Sequence, residues 1–481
     1  MSAMSVLHVV SGGMVIIAEA IVLLRALLRP HREPASRLAW VIIIVVAPVI
    51  GAIAYLLLGE TRVRRRRTGA AIDRQLLRPP DQDAAIAALK QGDHWAPFAL
   101  ARTVNGLGPT ATNSASLAAD SNAAIDGIVD DIDAAQKHVH VCTYIWLKDR
   151  NGLKVKDALV RAAVRGVAVR VLADALGSRR FIHSRHWRDL RRSGVHARPA
   201  LPLGSIIRMF IRGRLDLRNH RKAVVIDNRV AWCGSQNLAD PAFRIKPRYA
   251  PWVDVMTRWE GPVASHCQLL FVSDWMGDGG NDISDCLAEQ LPSVPPDKGT
   301  VIAQVIGTGP TLPYDAMPTC ICEIIHSARH ELVVTTPYFV PDEQLLYALV
   351  AAARRGVDTS LVFPRRNDSR FVAGASRSYY SDLVKAGARI FEFRPGLLHA
   401  KTMVVDRKIG LIGSANLDRR SFELNFENNI LFSDPAFADT IRERQDEFIA
   451  QSDAITPDDV ASFSLARRIW QNALGMLSPL L

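Results

Sequence analysis

Cysteine is scarce: Cys142, Cys233, Cys267, Cys286, Cys320 and Cys322 are the only six in 481 residues, with no CxxC pair and no zinc-ligand spacing. A disulfide framework needs denser cysteines, so these thiols are read as reduced and mostly buried, in keeping with a cytosolic soluble part. Acidic residues are the scarcer charge, 48 Asp and Glu against 59 Lys and Arg, and the net charge is +11. That surplus favours an anionic partner, either nucleic acid or an anionic membrane surface. The interleaved aromatic and basic pattern of single-strand binders is not evident, which weighs against nucleic acid. No basic residue precedes the first apolar run and no small-residue cleavage site follows it, which argues against a signal peptide. With 481 residues, 48% of them apolar, the chain is globular and too long for one ordinary core.

Long apolar runs are present only near the N-terminus. Residues 38–58 (LAWVIIIVVAPVIGAIAYLLL) are 21 in a row without a charge, enough to span a bilayer. Trp40 and Tyr55 stand at belt positions, and Pro48 and Gly51 are kink sites. Residues 6–24 form a less clean first span that contains His8 and Glu19. Arg62, Arg64, Arg65, Arg66 and Arg67 follow the second span, whereas the loop between spans has Arg29, Arg32 and Arg37. The positive-inside bias then predicts two transmembrane helices with the bulk of the chain in the cytoplasm. The arginine cluster would also attract anionic headgroups, at about 1 kcal/mol per residue. The expected organisation is an anchor over 1–60, a basic linker over 61–115, and lobes over 116–290 and 291–481. Two further stretches, 201–210 (LPLGSIIRMF) and the amphipathic C-terminal SLARRIWQNALGMLSPLL, suit either a membrane interface or ordinary packing.

The lobes repeat one pattern. A β-rich run, HVHVCTYIW at 138–146 or ELVVTTPYF at 331–339, precedes a helix closing on Arg165-Gly166-Val167 or Arg355-Gly356-Val357. A strand (VAVRVLAD, VDTSLVFP) and a second helix ending near Gly194 or Gly387 follow. Alternation of this kind predicts α/β lobes with parallel or mixed sheets.

Each lobe closes on His-x-Lys-x4-Asp and, after six more residues, Gly-Ser-x-Asn. The copies are His220, Lys222, Asp227, Ser235 and Asn237, and His399, Lys401, Asp406, Ser414 and Asn416. Residues two apart on a strand share a face, so each histidine points with its lysine. Asp227 and Asp406 fall on the opposite parity, where holding the strand or its neighbours is expected rather than contact with a phosphate. Two lysines can neutralise phosphoryl oxygens as Mg²⁺ does elsewhere, and the Ser and Asn pairs can bind the same group. Two histidines can divide the remaining work, one attacking phosphorus and the other protonating the departing alkoxide. A covalent phosphohistidine would then let a second alcohol replace the first. A lone HxK is most often a surface pair, but its recurrence with the loop intact favours chemistry. Metal ligation is poor for this set, because the lysine repels a cation and acidic ligands are lacking nearby. No metal and no cofactor are expected.

These motifs closely resemble the phospholipase D superfamily. Together with the N-terminal spans, TTPYFVPDEQLLYALVAAARRGV and SANLDRRSFELNFE, they look like bacterial cardiolipin synthases over nearly the whole chain. The resemblance implies two pseudo-symmetric phospholipase D-like α/β lobes preceded by two transmembrane helices. It implies a protein of the bacterial inner membrane that joins two phosphatidylglycerol molecules into cardiolipin and releases glycerol. The catalytic set it carries over is His220, Lys222, Asp227, His399, Lys401 and Asp406, with His220 as nucleophile and His399 as acid/base. Asp254 (PWVDV) and Glu427 (NFENN) match the acids that orient the histidines, each in the opposite lobe. A phospholipase D-type hydrolase, acting on lipid or nucleic acid, is the alternative; phosphatidylserine synthesis lacks a visible nucleotide signature. A non-enzymatic scaffold is disfavoured by two undamaged motifs.

Overall fold

The computed structural model describes residues 3–29, 34–59, 82–92, 94–202, 216–287, 299–312 and 315–476. Two α/β lobes share one plan and one 16-stranded mixed sheet. From the middle outward the first lobe runs Thr110–Leu117, Met256–Glu260, Val230–Gly234, Ala223–Ile226, His138–Thr143, Ala168–Asp174 and His196–Ala200. The second runs Val301–Thr308, Asn425–Ser433, Ile409–Gly413, Thr402–Val405, Glu331–Thr335, Asp358–Pro364 and Arg389–Phe393, and adds Ser452–Ile455 at its edge. Thr110–Leu117 pairs antiparallel with Val301–Thr308, so the two halves of the sheet join at equivalent strands.

Local sequence explains the crossovers. The helix Arg150–Val164 is capped by Asp149, whose carboxylate accepts from Gly152 N at 3.0 Å; Asp342 does the same for Glu343–Arg354 by accepting from Leu345 N at 2.9 Å. Both helices stop where Gly166 and Gly356 adopt φ of 89° and 86°, a conformation that favours glycine. Val167 and Val357 then donate back to the carbonyls of Ala162 and Ala352. The chain is thereby delivered into the parallel strands Ala168–Asp174 and Asp358–Pro364.

One apolar core fills each lobe and a third is common to both. The shared core brings Val225, Trp259 and Val272 of the first lobe against Val404, Phe432 and Phe437 of the second. Helices Pro262–Gly277 and Pro435–Ala450 supply much of it, so neither lobe is sealed without the other. All six cysteines are free, five of them buried.

Two expectations need correction. The strand Thr110–Leu117, which begins inside the 61–115 stretch assigned to the linker, lies at the centre of the sheet, and helices Gln82–Gln91 and Trp95–Asn105 precede it. Leu89, Phe98 and Ala101 of those helices are buried in the second lobe's core, with Trp95, Leu100 and Val104 packed against it. The transmembrane run over 38–58 is not one helix but Pro34–Val46, Pro48–Ala54 and a π-turn Tyr55–Gly59. Pro48 has no amide hydrogen and its ring crowds the carbonyl four residues back, which breaks the helix there. Among the described residues no helix is long and apolar enough to cross a membrane. Ala3–Leu28 packs on these pieces through Val22, Ala26, Trp40, Ile44 and Tyr55. The arginines at 62–67 and residues 203–210 lie outside the described residues.

Candidate active site

Cross-lobe pairing builds the site. The short strand Arg218–Asn219 runs parallel to the start of Asn425–Ser433, with Asn219 opposite Phe426, and His220 N donates to Phe426 O at 2.9 Å. One residue further along, that register sets His220 beside Glu427. Leu397–Leu398 pairs in the same way with Trp252–Val253, and His399 N donates to Val253 O at 2.7 Å, which sets His399 beside Asp254. His220 Nδ1 lies 2.9 Å from both Glu427 carboxylate oxygens, and His399 Nδ1 lies 2.6 Å from Asp254 Oδ1.

An ionised carboxylate only accepts, so each Nδ1 carries the hydrogen and each Nε2 is the bare nitrogen of a neutral ring. Burial pushes both imidazoles down to about 4, with the neighbouring lysine charges adding to it and the carboxylates opposing. Burial also resists ionisation of Glu427, but the charges and hydrogen bonds of His220, Lys222 and Ser414 outweigh it and hold the acid at about 2. Asp254 is lowered on the same balance, through His399, Lys401 and Ser235. At neutral pH the site therefore holds two carboxylates and two uncharged, nucleophilic imidazoles.

The lysines lie beneath. Lys222 Nζ donates to His220 O at 2.8 Å and Lys401 Nζ to His399 O at 2.6 Å, and both side chains are buried. Burial lowers Lys222 to about 8; burial and the Lys222 charge lower Lys401 to about 7. Both histidines open on a single cavity of ≈ 480 Å³. Asn237 and Asn416 also line it, and Asn416 Oδ1 is buried with no hydrogen-bond partner among the described residues.

Two groups assigned from the motif stand elsewhere. Ser235 and Ser414, expected at the substrate phosphate, do not line the cavity. Ser235 Oγ donates to Asp254 at 2.6 Å and Ser414 Oγ to Glu427, and each hydroxyl also accepts a backbone amide, from Val255 and Asn428. They hold the carboxylates that hold the histidines. Asp227 and Asp406, counted with the catalytic set, lie past the far ends of their strands. Asp227 accepts the amides of Gln136, Lys137 and His138; Asp406 accepts those of Arg329, His330 and Glu331.

Other cavity residues were not anticipated. Tyr144 packs edge-on against His220 at 4.8 Å between ring centroids, and Trp252 lies 4.8 Å from His399. Tyr338 donates to Asp368 at 2.7 Å, and Arg179, Arg180, Arg218 and Arg420 complete much of the wall. The available signal for Tyr144 and Tyr338 was an aromatic just past the carboxyl end of a repeated strand, where α/β sheets place ligands. Among the described residues no group of three or more His, Cys, Asp or Glu side chains could hold a metal ion.

Twin lobes whose histidines face a common cavity, each with its lysine beneath, define the phospholipase D class of phosphodiester-handling proteins. The family description "Cardiolipin synthase, PLD-like domain" fits residues 128–258 and 321–449, and "Phospholipase_D-nuclease N-terminal" fits 20–60. Cardiolipin synthase A of Yersinia pseudotuberculosis serotype O:1b (strain IP 31758) is 35% identical over 479 residues, 96% of each chain, as is that of Yersinia pestis bv. Antiqua (strain Angola). The chain belongs to the cardiolipin synthase family of phospholipase D-like proteins. In fold it is also similar to the crystal structure of phosphatidylserine synthase from Haemophilus influenzae Rd KW20, with a TM-score of 0.59 and 14% identity, covering 80% of this chain and 100% of that one.

Proposed function

We propose that this protein is a cardiolipin synthase that transfers a phosphatidyl group from one phosphatidylglycerol to another through a phosphohistidine. The observation that carries the reading is the pair of cross-lobe carboxylate–imidazole contacts opening on one cavity. His220 Nε2 attacks phosphorus while the asparagine amides on the cavity wall, and the positive charge of Lys222 and Lys401 beneath it, offset charge on the phosphoryl oxygens. The ester bond to glycerol breaks, and the departing oxygen takes a proton from His399. Burial keeps His399 neutral in the empty site. A bound phosphate favours its protonated form, so substrate itself arms the acid. In the second half the incoming hydroxyl gives its proton back to His399, its oxygen bonds to phosphorus, and the Nε2–P bond breaks. Donor and acceptor steps thus use one set of groups, without nucleotide or metal.

The substrates imply work at a bilayer. Supporting this, the N-terminal helices turn large apolar side chains outward, with Ile16, Leu28, Val46 and Ile50 between 67% and 76% exposed. Such a surface fits lipid rather than water. We place the lobes at the cytoplasmic face of the inner membrane, anchored through residues 1–60. The C-terminal helix Leu465–Met476, with Ile469, Trp470 and Met476 exposed, offers a second apolar contact.

Reconstitution into phosphatidylglycerol vesicles, with cardiolipin, glycerol and phosphatidic acid followed together, tests the reaction. Equimolar cardiolipin and glycerol are expected. Phosphatidic acid as the sole lipid product would replace this reading with hydrolysis.

A further inference from the structure

The groups described so far account for one phosphate, yet the proposed reaction brings two: the reacting diester and the phosphate that the acceptor lipid keeps. We infer that Arg179 and Arg180 form the subsite for that second phosphate, an inference that rests on the transfer reading above. Both line the same cavity as His220 and His399. Its other cations are already engaged. Arg420 donates to Asp216 O at 2.8 Å, Lys246 pairs with Asp368 at 2.6 Å, and the buried Arg218 donates to Leu217 O at 2.6 Å. Arg179 and Arg180 are exposed, and neither guanidinium makes a hydrogen bond or ion pair with another described residue. Two adjacent guanidiniums without a counter-charge, open to a cavity, suit a diester anion through paired N–H donors.

Their position relative to the chemistry is fixed. Ser178 Oγ donates to Tyr144 O at 2.9 Å and accepts from Trp146 N at 3.0 Å, while Asp174 accepts the amides of Leu176 and Gly177. A Cβ on Gly177 would meet Tyr144 O at 2.4 Å, so the turn carrying the arginines sits directly on the residue whose ring packs against His220. Leu176 and Ile245, both part of the cavity lining and both exposed, offer apolar contact to the lipid beyond its phosphate.

In the second half-reaction the acceptor's terminal hydroxyl oxygen bonds to phosphorus, the Nε2–P bond breaks and the hydroxyl proton passes to His399. The acceptor's own phosphate is unchanged and remains anionic. It stands one glycerol away from the phosphorus under attack, so the two anions repel in a buried site. The arginines offset that repulsion. Free glycerol, an acceptor without a phosphate, has no use for them.

The test compares these two acceptors in full-length protein reconstituted in phosphatidylglycerol vesicles. Cardiolipin formation and the incorporation of labelled glycerol into phosphatidylglycerol are measured side by side. In Arg179→Ala/Arg180→Ala the ratio of cardiolipin formation to glycerol exchange is expected to fall about tenfold or more, the loss of charge-assisted bonds to one anion. Arg179→Lys/Arg180→Lys is expected to recover part of the ratio. The single variants Arg179→Ala and Arg180→Ala, each with a smaller drop, carry the test should the pair fail to fold. An unchanged ratio, including equal losses in both assays, would overturn the subsite. Wild-type protein that exchanges glycerol but makes no cardiolipin would instead overturn the transfer reading.

Discussion

In the first lobe His220 is held by both oxygens of Glu427 and backed by Tyr144, whereas in the second His399 meets one oxygen of Asp254 and is backed by Trp252. Glu427 is further fixed by Asn425 Nδ2 at 3.1 Å and by Ser414. On the second side Asp418 also lines the cavity, pushed up to about 6 by burial, while Ala239 holds the corresponding place in the first repeat. Duplication therefore supplied two copies of a frame, and the residues around each frame have diverged. The tighter cradle suits a ring that must stay neutral and aligned for attack. The side with an extra carboxyl titrating near neutrality suits the ring that gains and loses a proton. This asymmetry supports His220 as nucleophile and His399 as acid/base.

Removing either imidazole puts that division to the harshest test. His220→Ala and His399→Ala are each expected to cut cardiolipin formation by about 10³-fold or more, with membrane association retained. Phosphate trapped on the enzyme should map to His220 and be missing in His220→Ala. A trapped phosphate on His399 would reverse the roles of the lobes.

The orienting acids come next. Glu427→Gln and Asp254→Asn remove the charge that fixes the Nδ1–H tautomer, and each is expected to lower turnover about 10- to 100-fold. If the cradles differ as described, Glu427→Gln should weaken phosphohistidine formation and Asp254→Asn the release of glycerol. Identical burst kinetics in both variants would show the two frames to be equivalent.

Acidity separates the lobes more gently. Both imidazoles stay neutral down to about pH 4, so acidification impairs the free enzyme only towards that value. Raising pH strips charge first from Lys401, at about 7, then from Lys222, at about 8. For the free enzyme, kcat/KM should accordingly decline above pH 7–8, by about tenfold per unit once one essential lysine is neutral. Bound phosphate favours the charged lysines, so kcat should hold to higher pH than kcat/KM. A kcat/KM profile flat to pH 10 would remove the lysine clamp.

The α/β lobes, their order and the histidine–lysine pairs were legible because short-range rules govern them: strand parity, capping, and a glycine where φ must be positive. Asp254 and Glu427 were reached only through family resemblance, since their contacts depend on pairing between strands far apart in the sequence, such as Asn219 with Phe426 and Leu397 with Trp252. The serines were misplaced for a related reason. Parity puts a side chain on a face but does not say whether substrate or a buried carboxylate waits there. Arg179 and Arg180 looked like any exposed basic pair until the fold carried them to the cavity wall. At the N-terminus hydropathy alone predicted one span where Pro48 divides the helix.

The smallest effect on chemistry belongs to the aspartates that give the motif its third letter. Asp227 and Asp406 sit at φ of 50° in the turns that close their hairpins, and each carboxylate gathers three backbone amides from the loop before the lobe's first parallel strand. Asp227→Ala would strand those amides, at a cost of about 1–3 kcal/mol. The melting temperature should fall by a few degrees, while kcat/KM per folded molecule stays within about threefold of wild type. Asp406→Ala should behave alike, because the two turns are equivalent in both geometry and partners. If either variant loses turnover without losing thermal stability, the aspartate acts in the reaction. The separation drawn here, between a repeated scaffold and a diverged site, would then fail at its simplest point.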